Sequence, residues 1–345
     1  MGNMELTAAG IKISVKDFSP FALVWETSSG ETGGDPGPVV TYYTIDASAG
    51  EGGSITPSGK VSVARGFDKT FAIKTDDGYV IDDVVVDGKS VGAVASYTFK
   101  DVKASHSISV TFREDDRPAN PDDTGVSDLL ETAKHRTFLH GYPRGAFAPD
   151  SDMTRAEVAA MFYNLLKDKN VKVTETFKDV PQDAWYKEPV EVLATLGILE
   201  GYGDTGEYRP ERKITRAEFT TIAMRFTKGE AGGENIFSDV VESDWFYNTV
   251  VGSVAYGWIH GYDDGTFRPN DSITRAEVTA ITDAMLGRRA DREFVDAAAK
   301  KGELKAFTDL TSDHWAYYEI MEATNAHAHV LGNGVESWTE LNPVE

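Results

Sequence analysis

The stretch "ITRAE" at residues 214–218 returns unchanged at 273–277, and "MTRAE" stands at 153–157. Thr-x-x-Glu ahead of an apolar run is a capping box, in which threonine accepts from the N3 N–H and glutamate reaches back to the cap N–H. Thr154, Thr215 and Thr274 are therefore expected N-caps, with Glu157, Glu218 and Glu277 as their loop-ordering partners. The residues that follow, Val158, Met161, Phe162 and Leu165 in one copy and Phe219, Ile222, Ala223 and Phe226 in the next, have helical spacing. Capping does not explain the arginine. Arg155, Arg216 and Arg275 fall at N1, where a cation faces the positive end of the helix dipole at a cost of about 0.3–1 kcal/mol when exposed. Three such residues in one register call for an offset. One candidate is an anionic ligand, held jointly by the guanidinium and free backbone N–H groups. The other is an internal partner such as Asp179, Asp239 or Asp309.

Two further signatures travel with this one. "FKDVPQDAWY" (177–186), "FSDVVESDWF" (237–246) and "FTDLTSDHWA" (307–316) each place Trp eight residues after Phe. "GYPRGAFAP" (141–149), "GYGDTGEYRP" (201–210) and "GYDDGTFRP" (261–269) precede the three TRAE segments. Gly141, Gly201 and Gly261 suit a turn or a close backbone approach. Tyr142, Tyr202 and Tyr262 suit either packing on a helix or contact with a sugar. Trp185, Trp245 and Trp315 are expected mainly as core anchors, with an exposed edge lining a groove as the alternative. The first repeat lacks its own Phe-Asp-Trp segment, and the last such segment has no TRAE after it. A closed, roughly three-fold arrangement with the C-terminal piece beside the first repeat reconciles the two gaps, because it leaves no apolar face uncovered. "SDLLETAKHRTFLHGY" (127–142) is expected to be helical, and the insert 287–306 reads as an additional helix.

Together these motifs resemble S-layer homology (SLH) domains over residues 127–345. The resemblance implies three repeats (about 127–170, 177–228 and 237–287) and a closing segment (307–345). They would form a mainly α trimer with pseudo-three-fold symmetry. It also implies non-covalent anchoring of a surface protein to the bacterial cell wall through secondary cell wall polymer, a pyruvylated glycan bound in grooves between repeats. On that resemblance Arg155, Arg216 and Arg275 contact the pyruvate carboxylate, and the Gly-Tyr and Trp positions line the grooves. The first loop departs from the pattern, with Arg144 where the third has Asp264; the second is one residue longer and has Tyr208 in place of Phe.

Ahead of the repeats the pattern is all-β over 41–112, with period-2 alternation and turn signals at Asp77-Gly78 and Asp87-Gly88. The segment "GYVIDDVVVDG" (78–88) resembles the divergent internalin B-type repeat module, which implies a spacer or display role. Residues 113–126 read as an acidic linker. Residues 1–40 read as the remnant of an upstream domain plus a glycine-rich linker, with "IKISV" (11–15) a strand and "FSPFALVW" (18–25) its partner. The expected whole is multidomain, a C-terminal piece of a secreted, cell-wall or S-layer-associated protein.

Composition narrows the function. The 345 residues carry a formal net charge of −22, which disfavours nucleic acid and anionic membrane surfaces. It also opposes an anionic polymer, so binding would depend on local cationic pockets and on salt. There is no cysteine, hence no disulfide, thiolate metal site or cysteine nucleophile. No run of apolar residues is long enough to span a membrane. Nothing resembles G-x-S-x-G, HExxH or a P-loop, so no catalytic residues and no cofactor are expected. The alternative reading is the targeting part of a secreted carbohydrate-active enzyme or adhesin. A metal-binding surface module is less favoured: His314, His327 and His329 are expected as surface or groove histidines, and "DDG" (263–265) lacks the ligand spacing of a calcium loop.

Overall fold

The computed structural model describes residues 3–7, 10–14, 40–76, 79–115, 117–229, 232–332 and 335–342. A β-rich N-terminal region precedes a helical C-terminal region, each with its own hydrophobic core.

Near the N-terminus β1 (Asn3–Thr7) pairs antiparallel with β2 (Gly10–Ser14). The partner of the expected 11–15 strand is thus the segment before it. Residues 15–39, including the expected partner 18–25 and the glycine-rich linker, lie outside the described residues. Then follow β3 (Tyr42–Ala49), β4 (Gly53–Thr56), β5 (Gly59–Ala64), β6 (Lys69–Thr75), β7 (Tyr79–Val86), β8 (Lys89–Ser90), β9 (Ser96–Phe99) and β10 (His106–Glu114). They form a five-stranded sheet in the order β5-β3-β10-β7-β8 and a three-stranded sheet in the order β4-β6-β9. Alternation buries one face of each strand: Ile45 and Ala47, Phe71 and Ile73, Ile108 and Val110 share one core. Asp87 (φ 49°) and Gly88 (φ 77°) close the β7–β8 hairpin with the two positive φ angles of a type I′ turn. Asp77-Gly78 lies outside the described residues.

The expected linker is partly ordered. Arg113 and Glu114 extend β10, and α1 (Pro121–Thr124) is capped by the Asn120 side chain and leads into a 3-10 turn that buries Val126. The expected helix over 127–142 is absent beyond that turn. Its apolar residues Leu130, Phe138 and Leu139 enter the core from an extended loop, and its backbone bonds run elsewhere: Glu131 N–H to Leu165 O and Phe138 N–H to Ala323 O. Tertiary partners took the groups that a helix would have paired internally.

Three helices begin at the TRAE segments: α2 (Arg155–Leu165), α4 (Arg216–Met224) and α6 (Arg275–Leu286), each opened by a complete capping box. Each packs with the helix of the next Phe-Asp-Trp segment: α2 with α3 (Lys187–Thr195), α4 with α5 (Tyr247–Ala255), and α6 with α8 (Tyr317–Thr324). The insert forms α7 (Arg292–Lys301), against α8. A hairpin of β11 (His327–Gly332) and β12 (Val335–Leu341) follows α8.

The residues just before the three helices bond to one another in a closed cycle. Met153 N–H donates to Ile273 O (3.1 Å), Ile273 N–H to Ile214 O (3.1 Å), and Ile214 N–H to Met153 O (3.0 Å). All three side chains are fully buried.

The C-terminal segment completes the first loop, as a closed arrangement requires. Asp309 accepts from Phe147 N–H and Ala148 N–H, both at 2.8 Å. Asp239 does the same for Phe267 and Arg268, and Asp179 for Tyr208 and Arg209. These bonds hold Ala148, Arg209 and Arg268 in left-handed backbone (φ 59°, 57° and 58°). Phe307, Phe177 and Phe237 sit against Gly141, Gly201 and Gly261, where an added Cβ would lie 2.2–2.7 Å from the ring.

If 307–309 is as integral as its two counterparts, Asp309→Ala and Asp239→Ala will each lower unfolding free energy by about 1–3 kcal/mol, the scale of lost charge-assisted hydrogen bonds. Urea denaturation of both variants checks this. A silent Asp309→Ala beside a destabilising Asp239→Ala would show that the closing segment is not docked.

Candidate functional site: the junctions between repeats

Each arginine reaches out of its own repeat into the next. Arg155 donates from Nε to Tyr208 O (2.9 Å) and from Nη2 to Glu200 O (2.7 Å). Arg216 donates from Nε to Phe267 O (2.8 Å) and from Nη1 to Glu277 Oε1 (2.7 Å). Arg275 donates from Nε to Phe147 O and from Nη2 to His140 O, both at 2.9 Å. All three are buried, and each guanidinium lies over the tyrosine of that next loop: Arg155 on Tyr202, Arg216 on Tyr262 and Arg275 on Tyr142, at 4.6–4.8 Å.

The tyrosine is fixed by the capping glutamate of its own repeat. Tyr142 O–H donates to Glu157 (2.7 Å), Tyr202 to Glu218 (2.9 Å) and Tyr262 to Glu277 (2.6 Å). One carboxylate oxygen thus orders the ring while the other accepts the cap N–H of Thr154, Thr215 or Thr274. Burial raises the Glu157 and Glu218 pKa values, but the backbone and side-chain hydrogen bonds outweigh it and both lie below the usual range. Burial and the bond to Glu277 push the Tyr262 hydroxyl up to about 12.

The structure answers the dipole problem internally. The N1 and N2 N–H groups of α2 donate to Arg212 O and Pro210 O, those of α4 to Asp271 O and Pro269 O, and those of α6 to Ser151 O and Pro149 O. The third N–H goes to the capping threonine. The helix termini expected to be free for an anion are filled by carbonyls of the neighbouring repeat. Asp179, Asp239 and Asp309, weighed as arginine partners, hold loop N–H groups instead.

The tryptophans correct another expectation. Trp185, Trp245 and Trp315 are 63%, 66% and 60% exposed, not core anchors. The buried aromatic is the next residue, Tyr186 or Phe246, on which Trp185 and Trp245 rest edge-on; Trp315 lies beside His314.

Where Arg155 meets the loop of the second repeat (the second junction), the groups converge on a cavity of about 180 Å³. Its lining includes Arg155 from one repeat, Gly201, Tyr202 and Glu218 from the next, and Trp245 from a third segment. Nη1 of Arg155 has no acceptor among the described residues. Sequence reasoning missed three cations here. Arg212 bridges Glu218 and Tyr202, Arg225 pairs with Glu200 (2.7 Å), and Arg209 lies over the Tyr202 ring at 4.5 Å. Arg268 takes the last role on Tyr262 at 3.9 Å, tethered by Asp264 of the "DDG" stretch. The recurring Arg-Pro of "YRP" and "FRP" was the available signal; the first loop has Ala148 there.

His327 and His135 are 2% and 6% exposed, so His327 is not the surface or groove histidine expected from sequence. No helix among the described residues is long and apolar enough to cross a membrane.

Two outcomes follow. Arg216→Ala will cost about 3–5 kcal/mol of stability, because it leaves Glu277 half-buried without its cation; Arg216→Lys, measured beside it, will recover part of the loss. Because the Glu157 and Glu218 pKa values are depressed on folding, their stabilisation is full above the ordinary value of 4.5 and is lost as pH falls through the folded values. Urea midpoints taken from pH 6 down to 3 will therefore drop, and less steeply in Glu218→Gln.

The S-layer homology domain profile matches residues 130–159, 176–220 and 236–279. The chain is 34% identical over 222 residues to a cellulosome-anchoring protein of Acetivibrio thermocellus, a match covering 61% of this chain and 47% of that protein. It is 33% identical over 209 residues to an amylopullulanase of Thermoanaerobacterium thermosulfurigenes (58% and 11%), and 31% identical over 160 residues to a surface-layer 125 kDa protein of Lysinibacillus sphaericus (46% and 12%). The chain thus spans less than half the length of these relatives. Within the helical region three segments match the S-layer homology domain, each carrying one TRAE helix start.

Proposed function

We propose that the helical region is a pseudo-three-fold trimer of repeats that anchors its polypeptide non-covalently to secondary cell wall polymer, through a pyruvylated sugar seated between repeats. The observation that carries this reading is the second junction. There a buried guanidinium with an uncommitted nitrogen, a clamped tyrosine and an exposed tryptophan border one cavity. A ketal-pyruvate carboxylate suits the Arg155 Nη1 edge, as guanidinium suits carboxylate generally. The Trp245 face suits the apolar side of a sugar ring. The cycle of hydrogen bonds at Met153, Ile214 and Ile273 supports the three-fold arrangement. Equivalent residues, Arg216 with Tyr262 and Arg275 with Tyr142, stand at the other two junctions. Several such sites on one repetitive polymer would raise avidity, because later contacts are intramolecular.

The anchoring names among the relatives agree with this reading. Names of carbohydrate-active enzymes also occur among them, over about a tenth of one such protein's length, which supports a second reading in which this chain is the targeting part of an enzyme or adhesin. In both, the β-rich region serves as a spacer of the internalin B repeat type.

The exposed tryptophans make the cleanest test, because their removal leaves the core intact. Co-sedimentation with cell-wall sacculi is expected to weaken about tenfold in Trp245→Ala, with stability changed by less than about 0.5 kcal/mol. Binding will disappear with sacculi stripped of secondary polymer and fall with sacculi depyruvylated by mild acid. Equal binding to stripped walls would sink the anchor reading; equal binding to depyruvylated walls would sink only its pyruvate part.

A further inference from the structure

Behind the first repeat lies a buried group that the anchoring site does not use. His135, from the loop that replaced the expected helix, meets His327 and His329 of β11, Glu336 of β12 and Glu322 of α8. His135 Nδ1 and His327 Nε2 are 2.9 Å apart, and Glu336 Oε1 lies 3.1 Å and 3.0 Å from them. Glu322 adds an oxygen 3.0 Å from His135 Nδ1 and another 3.4 Å from His327 Nε2. A donor atom of His329 falls in the same cluster, which spans 4.8 Å with His135, His327 and Glu336.

Protons alone serve this arrangement badly. His327 Nδ1–H donates to Asn325 O at 2.8 Å, so in the neutral ring Nε2 carries a lone pair aimed at the cluster. That lone pair then faces a carboxylate oxygen at 3.0 Å. A proton on one facing nitrogen makes an N–H···N bond but leaves the other ring's lone pair against Glu336 Oε1, at 3.1 or 3.0 Å, and protons on both point two N–H groups at each other across 2.9 Å. A single cation at the centre satisfies every donor. Ligands at about 2.0 Å in a tetrahedral shell stand about 3.3 Å from one another, close to the separations found. The Asn325 carbonyl is the outer partner that orients a ligating histidine.

The charge agrees. Glu322 and Glu336 are 1% and 7% exposed, and both Glu322 oxygens lack a hydrogen-bond partner. Arg288, packed beside them, donates from its two Nη groups to the carbonyls of Glu131, Lys134 and Arg136. Asp283, also buried, is held well above the usual carboxylate range by burial and by Glu322. Glu336 also borders a cavity of about 560 Å³ open to solvent, which gives an ion a way in.

We propose that His135, His327 and Glu336, with Glu322 and His329 completing the shell, bind one divalent transition-metal ion of the zinc class. Imidazole nitrogens in the set favour such an ion over calcium, which takes six to eight oxygens. The ion would staple the C-terminal hairpin and α8 to the loop ahead of the first repeat, where His327 N–H already donates to His135 O.

The test uses the full chain, free of any histidine tag and treated with chelator. Zinc chloride, added in calorimetry, is expected to bind at one ion per chain and to raise Tm progressively with free zinc. Cobalt chloride is expected to give the intense visible absorption of a four- or five-coordinate site. His135→Gln and Glu336→Gln should each weaken zinc binding about a hundredfold. If either variant fails to fold, the wild-type cobalt spectrum decides alone. A chain that takes up no ion, with Tm indifferent to zinc, overturns the proposal. So does a weak octahedral cobalt spectrum, or one bound equivalent that both folded variants retain.

Discussion

Everything in the helical region rests on one exchange. The first two N–H groups of each TRAE helix donate to carbonyls of the neighbouring repeat's loop, and the arginine side chain follows them across. A helix terminus must satisfy its orphan donors somehow. Here it does so between repeats, so no single repeat has a complete helix start by itself. The cap, the arginine and the cycle through Met153, Ile214 and Ile273 are therefore parts of one interlock. The helix dipole reinforces it, since carbonyl oxygens lie where negative charge is favoured.

The same interlock builds the groove. Glu218 is shared between the cap of α4 and the hydroxyl of Tyr202, so ring orientation and helix start are set by one carboxylate. Three guanidinium groups, of Arg155, Arg209 and Arg212, lie against the Tyr202 ring. The junction is rigid because its members are structural, and a rigid, partly desolvated guanidinium recognises a carboxylate at little ordering cost. On the proposed function, stability and recognition would share residues here. Loss of binding in an arginine variant is therefore ambiguous unless folding is measured with it.

Much of this was legible in the sequence. The capping boxes, the repeat spacing, the extra helix in 287–306 and the return of the C-terminal segment to the first loop all follow from local chemistry and counting. What failed had tertiary causes. Residues 127–142 have helical periodicity, but the N–H groups of Glu131, Phe138 and Leu139 found partners in α2 and α8. Trp185, Trp245 and Trp315 looked like anchors by size, while the smaller aromatic beside each of two of them took the buried position. The arginine partners were sought among carboxylates, and backbone carbonyls, which no sequence motif marks, supplied most of them. His135 drew no attention because its companions lie nearly two hundred residues away.

Asp309 supports a loop whose residues lie 162 and 161 positions earlier in the chain. In a polypeptide made from its N-terminus, the first loop waits for nearly the last part of the region before its backbone is satisfied. Contacts of such long sequence separation slow folding and leave apolar surface uncovered in the interim. A chain threaded outward through a membrane in that same order would stay pliable through most of its passage, and would become a closed body only once its final segment had emerged.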